Sequence, residues 1–398
     1  MRSRGEEVRD GADSPSALPA DRYESSEKTE LPMDEQVVVI GAGVYGAAVA
    51  AELARRGARV TVVDSGAPGS GTSGATFSWT NSCGKQPRAY HDLSVAAMEA
   101  HRRLARDVPG SDWYHEGGNL EWGGSNAERE QLRRKVGLVL SYGYKARWLT
   151  RAEALRLEPD MHPAQLPADE IAYFPAEGWI EPARLIGYLL SAAGAERVWN
   201  DAVTGIDVSG GLVRSVRLAS GRRLPAGAVV NCAGSAAAGV AGLAGLDLPM
   251  RNTRGVLIYT SPVAVSVSRV IHAPHVHLRP NGAGRLLLHS HDVDDAAQAR
   301  DGGEFSVDQS AVDKVVEAGC VLYPGLRAAS VESVRVGVRP IPGDGLPVLG
   351  RVPGLRNFHF AVSHSGATLS VHAGALVAGE VLGEDHSGEL AAFRFERL

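Results

Sequence analysis

A short β-branched run, Val37-Val38-Val39-Ile40, passes directly into Gly41-Ala42-Gly43-Val44-Tyr45-Gly46. This junction constrains the fold more than any other feature of the chain. The apolar run reads as a buried strand. In a G-x-G-x-x-G turn the first glycine allows the tight turn, the second admits a pyrophosphate, and the third lets helix and strand pack closely. Residues 47–56 then read as a helix closed by Gly57, and Arg59–Val63 as a second strand. Asp64 ends that strand, eighteen positions after Gly46. A carboxylate there accepts hydrogen bonds from a ribose 2′-OH, while the helix N-terminus holds phosphates. An ordinary glycine turn, with Asp64 as a cap, explains the glycines but not their context. A dinucleotide is therefore expected, FAD or NAD rather than a 2′-phosphorylated one.

The chain has 398 residues, which at roughly 150 per domain suggests two to three domains. Its 41 basic and 46 acidic residues leave a net charge of −5, without the basic stripe of a nucleic-acid binder. Three cysteines, Cys83, Cys232 and Cys320, cannot pair evenly and form no C-x-x-C, which argues against a disulfide scaffold or thiolate zinc site. No signal peptide is recognised and no run of 18 residues stays apolar, so no membrane span is expected. A reduced, soluble, cytoplasmic protein is expected. Residues 1–34 are polar and aperiodic, and read as a disordered tail. Beyond the first unit, helices are expected near 90–106, 126–142, 182–195 and 368–382, with strands at 119–122, 212–218, 228–232 and 358–362. The fold class expected is α/β: a Rossmann-like dinucleotide-binding domain, for FAD or NAD, with an inserted α+β substrate domain built on an antiparallel sheet. The boundaries place 35–88, 176–245 and 333–398 in the first domain, and 89–175 and 246–332 in the second.

Further motifs narrow the cofactor. Gly69-Ser70-Gly71-Thr72-Ser73-Gly74-Ala75-Thr76-Phe77 is small and hydroxyl-rich; Val230-Asn231-Cys232-Ala233-Gly234-Ser235 is a strand running into a turn. Val338-Arg339-Pro340-Ile341-Pro342-Gly343-Asp344-Gly345 and His364-Ser365-Gly366-Ala367-Thr368-Leu369 follow in order. Together with the first motif, these resemble the D-amino-acid oxidase superfamily of flavoproteins over about residues 37–382. The resemblance implies an FAD site built from Gly41, Gly43, Val44, Tyr45 and Gly46, then Asp64 and Ser65. It continues through Thr72, Ser73, Ala75 and Thr76, then Val203 with Cys232, Ala233 and Gly234, and ends at Gly366, Ala367 and Thr368. Relatives that tether flavin use a histidine early in the chain or a cysteine near Gly337. Residues 74–81 lack histidine and Gly337 is no thiol, so FAD is expected to bind non-covalently.

The resemblance also makes Arg339 the anchor for a substrate carboxylate, a role that suits its planar fork. His275 and His277 alternate along one expected strand, and His289 and His291 along its hairpin partner. Three readings stay open for them: a solvated or hydrogen-bonded strand face first, pocket lining with His275 or His277 accepting a proton from substrate second, and a metal site last. No metal ligands are counted among the expected site residues. Lys85 could place a cation near the flavin, and His364 abuts the flavin motif. The function expected is oxidation of the C–N bond of an amino acid or related amine to an imine, by hydride transfer to flavin N5, with O2 or another acceptor taking the electrons. The alternatives are an NAD-dependent dehydrogenase and a non-catalytic flavin-binding or electron-transfer subunit. Oligomeric state is left open.

Overall fold

The structure, a computed structural model, describes residues 36–300 and 305–398. The expected disordered tail lies outside them. Two sheets organise the chain. The first has six strands, in the order Val348–Val352, Leu355–Val362, Ala228–Asn231, Gln36–Ile40, Arg59–Val63 and Glu196–Val198. All pairings but the first are parallel. The opening strand sits inside the sheet, between Ala228–Asn231 and Arg59–Val63, so both its faces must be covered and its residues Val37 to Ile40 are all buried. One face is covered by the helices Val44–Arg55, Pro182–Ala193 and Gly366–Val381, whose apolar residues share one core with Val37 and Val39. The other face packs on a three-stranded antiparallel sheet spanning residues 203–225 and on the helix Ala237–Leu243.

The second sheet has eight strands, in the order Val331–Arg339, Thr253–Thr260, Leu286–His289, His277–Pro280, Val270–His272, Asn119–Glu121, Ile171–Phe174 and Arg147–Leu149. It is antiparallel except where Val270–His272 runs parallel to Asn119–Glu121. Its outer face packs on the helix Gln309–Leu322 through Leu278, Leu288, Val312 and Val315. The expected fold class is the observed one.

Two elements fall on the other side of the boundaries expected from sequence. The helix Arg88–Asp107 packs Tyr90, Leu93 and Ala97 into the parallel-sheet core, against Leu369 and Ala373 of the C-terminal helix. The strand Val331–Arg339 pairs along Thr253–Thr260 and so belongs to the antiparallel sheet, although most of it was expected in the FAD-binding segment. All three cysteines are free and buried. Among the described residues, no helix is long and apolar enough to cross a membrane.

Candidate functional site

Two cavities meet between the sheets. The smaller, about 420 Å³, lies at the C-terminal end of the parallel sheet, where α/β sheets bind ligands. Its wall includes Gly41, Gly43, Val44 and Tyr45 from the glycine turn, Asp64 and Ser65, Thr72, Ser73 and Thr76, Val203, Cys232 to Gly234, and Gly366 with Ala367. Gly41 has φ +107°, and a Cβ there would run into the Cys232 carbonyl. A Cβ on Gly43 would meet Ser73 Oγ at 2.9 Å. The turn thus offers bare backbone to the cavity. The helix Val44–Arg55 starts here, and its first-turn amides have no partner within the helix. The Val44 amide donates to Ser73 Oγ at 3.2 Å. The Asp64 carboxylate accepts from the amides of Ala42 (2.7 Å) and Gly66 (2.8 Å), which fixes it at the cavity wall.

A second helix N-terminus, Gly366 of the helix Gly366–Val381, lies on the same cavity. Two positive dipole ends and glycine backbone fit a dinucleotide that carries a pyrophosphate and an electron-rich ring. Three expected contacts differ. Gly46 does not line the cavity; it lets the helix pack on the Gly41 carbonyl. Ala75 and Thr368 line the larger cavity instead. Thr368 Oγ1 accepts from the Asn81 amide at 3.2 Å, tying the helix start to the segment after the hydroxyl-rich loop. Gly337 has no room for any side chain, because a Cβ would fall on the Ala75 carbonyl.

The larger cavity, about 1090 Å³, shares Thr72, Thr76, His364 and Ala367 with the smaller one. The antiparallel sheet forms its roof. Thr253, Gly255 and Leu257 alternate into it from one strand, and Gly337 and Arg339 from the neighbouring strand. Arg339 reaches the cavity wall. Its guanidinium lies over Gly255, where a Cβ would collide with it. It donates to Asp294 Oδ2 at 2.8 Å and to the Arg254 carbonyl. The other Asp294 oxygen accepts from the Val256 amide at 2.7 Å. Lys85 also lines the cavity, with Nζ donating to Ser365 Oγ at 2.7 Å beside the C-terminal helix start. His364 stands where the cavities join. The surrounding protein, with the positive charges of Lys85 and Arg339, holds its pKa down to about 4.

The histidines need correcting. His275 is exposed in the turn before His277–Pro280 and lines a separate recess, because the strand does not begin until His277. Its place is taken by His272. Register pairs His272 with His277, and His277 with His289, across three neighbouring strands. Ring centroids are 4.5 and 5.5 Å apart along this row. His291 lies off the strand: Ser290 caps a one-turn helix, His291–Asp294, whose first residue brings its ring within 5.1 Å of His277 and 5.3 Å of His289. All four line the larger cavity. Burial, then the neighbouring rings, push His272 and His277 well below the usual imidazole range. Burial likewise takes His289 to about 4.

Sequence reasoning missed Asp294, His272 and the floor formed by the helix Asn126–Ser141, which contributes Leu132 and Lys135. Lys135 is held by Glu121 at 2.7 Å. Only His272, two positions before Pro274 in a histidine-rich stretch, carried a readable signal. Trp179 is buried and stacks on His115.

Residues 36–380 match the family model described as FAD dependent oxidoreductase (DAO). Glycine oxidase of Geobacillus kaustophilus is 29% identical over 380 residues, covering 91% of this chain and 96% of that protein. The crystal structure of glycine oxidase from Geobacillus kaustophilus superposes with TM-score 0.78 at 26% identity, over 92% of this chain and 99% of that one. Iminodiacetate oxidase from Chelativorans sp. BNC1 gives TM-score 0.76 at 25% identity, over 90% and 98%. The chain belongs to the DAO family of FAD-dependent oxidoreductases.

Proposed function

We propose, with that family membership as the premise, that this enzyme oxidises the C–N bond of an amino acid or related amine in the larger cavity. The observation that carries the reading is that the two cavities adjoin, with Thr72, Thr76, His364 and Ala367 in the walls of both. A substrate under the antiparallel roof is thereby open to the cofactor cradle. When bound, FAD supplies the two-electron acceptor for the hydride leaving the carbon that bears nitrogen.

The protein contributes orientation and charge. Arg339, with Asp294 fixing one edge of its fork, binds the substrate carboxylate and sets the α-carbon toward the junction. His364, neutral at physiological pH, accepts the proton that the substrate ammonium must lose. The N-terminus of the helix Gly366–Val381, with Lys85 beside it, stabilises negative charge at that end of the cradle. The imine product is released to water, and O2 or another acceptor takes the electrons. FAD is held without a covalent bond, an assignment supported by the blocked Gly337 position.

The test is the visible spectrum of the purified protein before and after anaerobic addition of glycine, sarcosine, iminodiacetate and a mixed amino-acid pool. Bleaching of the flavin bands by one of them is expected. Bands that persist with every amine overturn the reading.

A further inference from the structure

We propose that His277, His289 and His291 form a binding site for one divalent transition-metal ion on the roof of the larger cavity. Each offers one ring nitrogen, and these atoms all lie within 4.8 Å of one another. Three imidazoles leave a fourth tetrahedral position for water or a substrate group, the pattern of open zinc sites. Imidazole nitrogen suits zinc, copper, iron or nickel, whereas magnesium and calcium take oxygen ligands.

The surroundings supply what such a site needs. His289 Nδ1 donates to the Val256 carbonyl at 3.0 Å, so Nε2 keeps its lone pair. A metal-binding histidine commonly has its other nitrogen fixed in this way. His289 Nδ1 also lies 3.6 Å from Asp294 Oδ1, the carboxylate whose other oxygen holds Arg339. Behind the triad, His272 Nδ1 donates to Asn119 Oδ1 at 2.8 Å, and its ring sits 4.5 Å from His277. Closing the nitrogens onto an ion at about 2.0–2.1 Å requires modest ring rotation. His291, exposed and on a one-turn helix, has the freedom to rotate.

On the sequence alone, a metal was the last of three readings. The register changes the comparison, because it places His277 beside His289 and the helix adds His291 to the same spot. The rings of His277 and His291 have no hydrogen-bond partner among the described residues, so their nitrogens stay available to an ion. The metal site stands without the proposed amine oxidation. Only the identity of the fourth ligand, a substrate carboxylate or amine beside Arg339, rests on that reading.

The test is equilibrium dialysis of the purified flavoprotein, first stripped with EDTA, against zinc, with elemental analysis. One zinc per chain is expected in the wild type. His291→Ala, at an exposed position, and His277→Gln should each weaken binding at least tenfold, the effect of removing even an outer-shell partner, with the flavin spectrum retained. Substoichiometric zinc in the wild type, or unchanged affinity in both variants, overturns the site. Substrate bleaching without zinc binding defeats the metal and spares the amine oxidation; zinc binding without bleaching does the reverse.

Discussion

Arg339→Met removes the charge and the fork at this position while keeping much of the side chain's length. Of the five N–H groups of the guanidinium, one goes to Asp294 Oδ2 and one to the Arg254 carbonyl. Three remain, enough for a two-pronged bond to a carboxylate. Hydrogen bonds to charged groups contribute about 1.5–3 kcal/mol each. Two of them, acting as one unit and therefore not fully additive, give a loss of about 2–4 kcal/mol. At about 1.4 kcal/mol per decade, that is roughly a 30- to 700-fold fall in kcat/KM. The loss should appear mainly in KM, because a carboxylate anchor holds ground state and transition state alike. FAD should remain bound, since Arg339 lines only the larger cavity. Arg339→Lys keeps the charge without the fork and should fall between the two. The assay is steady-state oxidation of whichever amine bleaches the flavin, with the flavin spectrum of each variant recorded alongside. An Arg339→Met enzyme with unchanged kcat/KM refutes the anchor, as does a variant that loses its flavin while keeping its substrate.

Three further outcomes are expected. Gly41→Ala combines a left-handed backbone, which costs a side chain about 1–3 kcal/mol, with a clash on the Cys232 carbonyl. It should lower the melting temperature and abolish FAD retention; a stable yellow variant contradicts the tight-turn argument. Lys85→Met removes the cation bonded to Ser365 and should make the flavin midpoint potential more negative by dye equilibration, so an unchanged potential removes Lys85 from that role. His101 and His359 are buried, and burial holds each near pKa 4 against an unfolded value near 6.5. In that interval the unfolded chain binds protons that the folded chain refuses, so their contribution is complete above about pH 6.5 and falls as the pH drops toward 4. Denaturant midpoints at about pH 7.5 and 5 should therefore differ less in His101→Gln/His359→Gln than in the wild type, and an equal difference overturns the assignment.

The parallel half of the molecule was readable because its signals are local. A β-branched strand, three spaced glycines and a carboxylate at the next strand end each carry their own reason, and all lie within residues 37–64. The fold class followed, and most of the residues named for the cofactor line one cavity. Gly46 serves the close packing that the motif asks of its third glycine, against the Gly41 carbonyl, and does not itself line the cavity. An expected boundary is crossed where an element packs by long-range contact, as the helix Arg88–Asp107 does against the C-terminal helix.

The roof shows the other limit. Sequence gave the histidines a two-residue period, but period identifies a shared face only inside a strand. His275 falls in the turn before its strand and is exposed, while His291 falls after its strand and rejoins the row from a helix. Register, which is a property of two strands rather than one, decided that His272, His277 and His289 stand side by side. The partner of Arg339 was likewise invisible, since Asp294 is 45 residues away and meets it only through the helix that follows His289. The local chemistry of a turn is written in consecutive residues, so the sequence by itself determined the glycine turn and the carboxylate that line the smaller cavity. Which side chains line the larger cavity beside it depended on pairing between distant strands, and that only the tertiary structure decided.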